Sequence, residues 1–197
     1  MRIVPLAAAA LALSATSACV APVGPVEVTR FHLPGTAVLG RGAISVEPAP
    51  GEDGAGLEFR SYAAAVARQL TLVGYSEQAA AGTPQVALVR IRRGTVQSGR
   101  QGGPVSVGIG GTTGSYGSGV GLGIGFDLSG PPPERIDTEL SVTIRDRAGG
   151  QALWEGRARF TVSGKSPLAG TQLGAAKLAE ALFKGFPGTS GETIQVK

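Results

Sequence analysis

TELSVTIR, at residues 138–145, alternates polar and apolar side chains without a break from Glu139 onward. An alternation of period two is typical of a β-strand with one buried and one solvated face. Asp146-Arg147-Ala148-Gly149-Gly150 follows as a turn, and ALWEGRARF at residues 152–160 returns as a second strand. The stretch therefore predicts an antiparallel hairpin whose apolar face, including Trp154 as an anchor, lies in the core.

The segment before this hairpin mixes strand and helix patterns. VEVTRFHL at residues 26–33 and GAISVEP at 42–48 end at proline-containing breakers and indicate two strands, which we expect to be neighbours in one sheet. From Leu57 to Val73 apolar residues recur at spacings near three and four, which predicts an amphipathic helix ended by Gly74. QVALVRIRR at residues 85–93 indicates a further strand.

A second helix is predicted to begin at Ser166-Pro167 and to run to Gly185, before Pro187. The element order is then β-β-α-β, a glycine-rich excursion, and β-β-α. This order predicts an α+β fold in which two helices pack on one face of an antiparallel or mixed sheet. We expect residues 26–197 to form a single domain.

The glycine-rich excursion covers residues 99–130 and holds 13 of the 32 glycines in the chain. VSVGI at residues 105–109 and VGLGIGF at 120–126 alternate apolar residues with small ones, which predicts a β-hairpin with one apolar face. That face either docks on a partner or lipid surface or packs on its own sheet. A dinucleotide loop is excluded, because the proline-rich residues 127–133 prevent the helix that such a loop requires.

The N-terminus has the features of a secretory signal peptide at residues 1–18. A basic residue precedes an apolar run from Ile3 to Leu13, which is shorter than the roughly 20 residues that span a bilayer. Small residues then lead to Cys19, the only cysteine. We expect cleavage before Cys19, lipidation of its thiol, and a tether at residues 19–25. The alternative is ordinary secretory cleavage, which releases a soluble periplasmic protein.

Few residues suited to catalysis are present. The single histidine, His32, lies on the first predicted strand, and neither a zinc-type Cys/His set nor a GxSxG motif occurs. Glu134 and Asp137 are a weak candidate pair for metal or acid-base chemistry. We therefore expect no catalytic, metal or cofactor site. The net charge of +4 is spread along the chain and does not indicate nucleic-acid binding.

A basic stretch closes the strand at residues 85–93 and continues past it. Its members are Arg90, Arg92, Arg93 and Arg100. They face either anionic lipid head groups or polymer, or simply solvent at a strand end.

Four segments taken together resemble the bacterial envelope lipoprotein family known as domain of unknown function 4136. They are FRSY at 59–62, LTLVGY at 70–75, LWEG at 153–156, and Phe186-Pro187. The resemblance covers residues 26 to 187 and includes a glycine-rich insert. It implies an outer-membrane-associated α+β domain without an established activity. TSAC at residues 16–19 resembles a bacterial lipobox, the motif that precedes and includes a lipidated cysteine, although the box prefers Leu at the position of Thr16.

These observations predict a non-enzymatic cell-envelope lipoprotein that binds or scaffolds an envelope component. Val20 follows the cysteine, where Asp would signal inner-membrane retention, so we expect the periplasmic face of the outer membrane. The expected partners are the membrane, through the lipid, and an envelope protein or lipid, through the glycine-rich arm. The alternatives are a small-ligand or lipid carrier with a cavity between sheet and helices, and a hydrolase built around His32.

Overall fold

The computed structural model describes residues 24–79, 82–96, 105–112, 119–126 and 134–197. In chain order the elements are β1 (Val26–His32), β2 (Ala43–Pro48), α1 (Leu57–Leu72), β3 (Ser76–Glu77), β4 (Gln85–Val96), β5 (Val105–Thr112), β6 (Gly119–Phe126), β7 (Arg135–Asp146), β8 (Ala152–Ser163), α2 (Thr171–Phe183) and β9 (Thr193–Val196). Short 3-10 turns lie at Thr36–Val38 and Pro167–Ala169.

The main sheet has seven strands in the order β3-β2-β4-β7-β8-β1-β9. β2 pairs in parallel with β3 and β4, and the other neighbours are antiparallel. The α+β class with a mixed sheet is therefore confirmed, as is the β7–β8 hairpin. The glycine-rich hairpin is also confirmed, as a separate sheet of β5 and β6.

The core lies between one face of the main sheet and the two helices, which pack against each other. Alternate strand residues such as Leu140, Val142 and Trp154 are buried on that face, as the period of two predicts. α1 contributes Tyr62 and Leu70 to the same core. Burial raises the pKa of Tyr62 to about 12.

The expectation that the first two strands are neighbours is wrong. β1 pairs with β8 and β9, while β2 pairs with β3 and β4. β4 and the β7–β8 hairpin lie between them in the sheet. β2 is joined through α1 to β4, and such a parallel connection places β2 beside β4.

The helix boundaries differ slightly from the sequence prediction. α2 begins at Thr171, because Ser166-Pro167 instead forms the 3-10 turn, in which the Ser166 hydroxyl accepts a hydrogen bond from the Leu168 N–H at 3.3 Å. The helix ends at Phe183. Gly74 follows α1 at a φ of +106°, and a Cβ there would lie 2.4 Å from the Gly40 carbonyl oxygen. The helix stop at Gly74 is confirmed, and the close approach of Gly40 is a second reason why this position requires glycine.

In the part of the chain that the structure describes, neither helix has the length and apolar character needed to cross a membrane.

Candidate functional site on the open face of the sheet

The face of the main sheet that points away from the helices is polar and exposed. We call it the open face. Its arginine side chains remain largely accessible, at 70% for Arg92, 57% for Arg157 and 54% for Arg159. Antiparallel sheets tolerate a solvated face, so exposure alone does not define a site. The arrangement of charges on the face is more informative.

The strand register places residues of β4, β7 and β8 side by side in rows across the open face. One row is Arg90, Ser141 and Arg157. The next row along the strands is Leu88, Thr143 and Glu155. The centre of the face therefore has two short hydroxyl side chains on β7, with longer side chains on both neighbouring strands.

A depression of about 200 Å³ lies at this centre. Ser141 and Thr143 form its floor. Its charged walls are Arg90, Arg92, Arg145, Arg157, Glu139 and Glu155. Four guanidinium groups line the depression against two carboxylates, and Glu52 beside Arg90 is a third, so a small excess of positive charge remains around the floor.

The arginines on the open face form exposed ion pairs. Arg157 lies 2.7 Å from Glu155, and Arg92 lies 3.8 Å from Glu139. Arg90 lies 3.7 Å from Glu52 and donates to the Pro50 carbonyl oxygen at 3.0 Å. Exposed pairs of this kind contribute only about 0–1 kcal/mol each. The guanidinium groups are therefore able to exchange these partners for another anion at little cost.

A second polar cluster lies at the β2 side of the open face. Arg147, in the β7–β8 turn, donates to the Thr83 carbonyl oxygen at 3.0 Å and to the Ser45 hydroxyl at 2.7 Å. It also forms an ion pair with Glu47. The hydrogen bond from Arg147 lowers the pKa of the Glu47 carboxyl. Because Ser45 and Thr83 are buried, this cluster fastens the turn to the sheet.

The aromatic residues of the motifs behind the family resemblance belong to the core, whereas Glu155 of LWEG lies on the open face. Trp154 stacks on Phe183 with ring centroids 5.4 Å apart and contacts Phe186 at 5.2 Å. Its indole N–H donates to the Pro187 carbonyl oxygen at 3.0 Å. Tyr75 meets the edge of Phe186 at 6.3 Å. These residues join the end of α2 to the sheet, which gives the separate motifs one packing role.

Arg30 is a buried charged residue that the sequence reasoning did not single out. Its guanidinium donates to the carbonyl oxygens of Leu182 at 3.0 Å, Ala181 at 3.1 Å and Lys184 at 2.8 Å. These groups end α2, where the helix dipole favours a positive charge. Burial lowers the pKa of Arg30 from its ordinary value. The sequence does indicate this burial, because Arg30 has the same alternation along β1 as the inward residues Val26 and Val28.

The basic stretch is divided between the two faces of the sheet. Arg90 and Arg92 line the depression, whereas Arg93 points to the helix side and lies 3.2 Å from Glu58. This division follows from the alternation along a strand. Arg100 and Cys19 lie outside the described residues.

His32 and the acidic pair lie apart from the depression. The His32 ring lies 3.0 Å from the Leu33 carbonyl oxygen and 3.2 Å from that of Gly188. Asp137 accepts from Arg159 at 2.9 Å and from Thr161 at 2.8 Å, whereas Glu134 accepts from Thr95 at 3.3 Å. Glu134 and Asp137 thus have different partners. In the described ranges, no group of three or more His, Cys, Asp or Glu residues is placed to hold a metal ion.

With its two helices on one side and its open face on the other, the molecule is an α+β domain with a half-covered sheet. Residues 45–188 match the family described as domain of unknown function (DUF4136), so the chain belongs to that family. It is also similar to an uncharacterized protein of Zymomonas mobilis, ZMO1243. The two are 30% identical over 235 aligned positions, which cover 96% of this chain and 84% of the relative.

Two solved structures share some similarity with this chain. One is a PDZ domain protein from Parabacteroides distasonis, with a TM-score of 0.50 and 8% identity over 88% of this chain. The chain spans 39% of the length of that protein. The other is a PelC dodecamer from Paraburkholderia phytofirmans, with a TM-score of 0.40 and 14% identity, covering 78% of this chain and 91% of the PelC chain. The first likeness bears on the fold alone, and the second is too distant to bear on fold or function.

Proposed function

We propose that this protein is a non-enzymatic lipoprotein of the bacterial cell envelope that binds or scaffolds an anionic envelope component through its open face. Lipid on Cys19 attaches it to the periplasmic side of the outer membrane. The attachment is supported by the sequence, in which an apolar run and small residues lead directly to the only cysteine.

The observation that carries the binding proposal is the arginine-lined depression. A guanidinium presents several N–H donors in a planar fork that matches a carboxylate or phosphate. Arg90 and Arg157 flank the Ser141 hydroxyl in one row, and Arg145 lies beyond Thr143 on the same strand. An anionic group seated on this floor meets hydroxyl donors below it and guanidinium groups at its sides.

Binding has more support here than catalysis. The two carboxylates of the depression, Glu139 and Glu155, each lie beside an arginine in an exposed ion pair. Such an arrangement suits recognition of charge more than proton transfer. The carrier alternative has less support, because buried side chains such as Tyr62, Leu140 and Trp154 occupy the space between sheet and helices.

The anchor is tested by the intact mass of wild type and of Cys19→Ala, each extracted from membranes of the native host. Wild type is expected to carry an added mass of diacylglyceryl size and to sediment with the outer membrane. Cys19→Ala is expected to lack that mass and to appear in the periplasmic fraction. A wild-type chain without the added mass would refute the anchor.

The open face is tested by site-specific photocrosslinking in the native envelope, with a photoreactive residue at Thr143. We expect one discrete adduct, which is lost in Arg90→Glu/Arg157→Glu. Arg68→Glu is the matched control, because Arg68 is an exposed residue of α1 on the helix side. An adduct that survives the charge reversal in Arg90→Glu/Arg157→Glu, or no adduct at all, would contradict binding at this face.

A further inference from the structure

β1 begins, β4 ends and β7 begins at the same end of the main sheet, which we call the near end. Arg135 at the start of β7 pairs with Val96 at the end of β4 and with Ser163 at the end of β8. Glu27 in β1 pairs with Arg159, so Val26 lies beside the last residues of β8. The N-terminal tether and both connections to the glycine-rich hairpin therefore leave from the near end.

The register of the hairpin sorts its residues onto two faces. Val105 pairs with Phe126, Val107 with Ile124, and Ile109 with Leu122. The alternate pairs are Ser106 with Gly125, Gly108 with Gly123, and Gly110 with Gly121. Residues of one pair share a face, and successive pairs alternate. By this register, one face of the hairpin holds the pairs of apolar residues, and we call it the apolar register face. The other face holds the pairs of mostly glycine residues, and we call it the glycine register face.

On the described part of the main domain, neither broad face of the sheet offers this apolar face a matching surface. The open face is lined by arginine, glutamate and hydroxyl side chains, and the opposite face is covered by α1 and α2. β5 and β6 pair with each other and with no strand of the main sheet. An isolated two-stranded hairpin is at best marginally stable in water, so its apolar face requires a partner.

We propose that the hairpin of β5 and β6 lies with its apolar register face on the same membrane that holds the lipidated N-terminus. The proposal rests on the anchoring proposed above. Residues 19–25 span at most about 25 Å, so the anchor keeps the near end within that distance of the lipid. Residues 97–104 span at most about 29 Å, which lets the hairpin reach the same surface.

The membrane is favoured as the partner because of the end of the sheet from which the hairpin connections leave. β7 runs from Arg135 at the near end to Asp146 at the far end, a length of about 40 Å at the usual rise per residue. A hairpin inserted in the β7–β8 turn would start that much farther from the membrane. The connections to this hairpin instead leave from the near end, where β1 begins.

The test uses the protein with Cys19→Ala, which contains no other cysteine, and a hexahistidine tag in place of the lipid. The tag attaches the mature chain to vesicles of phosphatidylethanolamine and phosphatidylglycerol (3:1) with a nickel-chelating lipid. An environment-sensitive nitrobenzoxadiazole label is then placed at Val107→Cys or at Ser106→Cys. The two positions are adjacent in the chain but lie on opposite register faces.

We expect the label at position 107 to brighten about threefold on vesicles and to be quenched by spin-labelled lipid, with less than half that change at position 106. Moving the tag to the β7–β8 turn at Gly149 is expected to abolish the difference. Equal signals at both positions would overturn the proposal. A signal at position 107 that rises with protein concentration without vesicles would also overturn it, in favour of a second copy of the chain.

Because the tag replaces the lipid, this result does not depend on processing in the cell. A chain that is not lipidated at Cys19 but passes the vesicle test refutes the anchor and leaves the lipid affinity of the hairpin. A lipidated chain that fails the vesicle test refutes the hairpin contact alone.

Discussion

Arg30 shows how one inward-pointing charge is tolerated in this core. Two other inward residues of β1, Val26 and Val28, are fully buried. An unpaired guanidinium in that position would be costly, but three carbonyl groups at the end of α2 accept its hydrogen bonds. The residue therefore ties the last turn of α2 to β1.

We predict that Arg30→Met lowers the free energy of unfolding by about 3 kcal/mol, because carbonyl groups at the helix end lose their donors. Arg30→Lys keeps the positive charge but lacks the planar guanidinium with its several N–H donors. It is expected to lower the free energy of unfolding by roughly half as much. Urea denaturation measures both. Arg68→Met, on the exposed side of α1, is the control and should stay within about 0.5 kcal/mol of wild type. A similar loss in the control would contradict the role of Arg30.

Gly156 shows why the LWEG motif ends in glycine. A Cβ at this position would lie 2.3 Å from the Trp154 ring and 2.8 Å from Leu182 Cδ1. We predict that Gly156→Ala destabilises the protein by about 3 kcal/mol in urea denaturation, because the indole must leave its stack. Gly94→Ala in β4 is the control, since a Cβ there has no neighbour within 4 Å. An unchanged unfolding midpoint for Gly156→Ala would show that the site relaxes.

Among the elements, the β7–β8 turn is held to β2 by the pair of Arg147 and Glu47. The hydrogen bond from Arg147 lowers the pKa of Glu47 below its ordinary value of 4.5. A lowered carboxyl pKa stabilises the fold above about pH 4.5, and this contribution is lost as pH falls through the folded-state value. The contribution is at most about 1 kcal/mol, because both side chains are partly exposed.

Glu47→Gln is expected to be less stable than wild type at pH 7 and to approach wild type near pH 3. The measurement is the free energy of unfolding in urea between pH 3 and pH 7. Glu77→Gln, on the exposed edge strand β3, is the matched control and should parallel wild type throughout. A constant gap between Glu47→Gln and wild type across this range would contradict the linkage.

For the whole molecule, the two sheets are expected to behave as separate stability units. We predict that deletion of residues 102–126 changes the free energy of unfolding by less than about 1 kcal/mol, because the strands β5 and β6 pair only with each other. Deletion of residues 192–197 is the contrast. It removes β9 and the buried Val196, and should cost about 2–3 kcal/mol. A large loss from the first deletion would show that the hairpin packs on the main domain.

The periodic patterns identified most elements because they report local geometry. The alternation at residues 138–145 and the spacing from Leu57 to Val73 correctly predicted β7 and α1. The strand order was not predictable, and β1 and β2 were wrongly placed side by side. Pairing partners are chosen by packing between residues distant in sequence, which a local pattern does not encode.

The candidate site was visible only in part from the chain. Arg90 and Arg92 were recognised as basic residues, but Arg145, Arg157 and the floor at Ser141 and Thr143 were not connected with them. Those residues come together because three strands pair in one register. The depression is a property of that register.

The sequence by itself determined most of the element types, the family and the two-faced pattern of the glycine-rich hairpin, because each follows from residue identities and short spacings. It also carries the expectation of export and of lipid on Cys19. Only the tertiary structure decided that Arg30 is buried at the end of α2, that arginines gather on an open face, and that the hairpin and the N-terminus leave from one end. These depend on long-range strand pairing, which brings together residues that the chain keeps far apart.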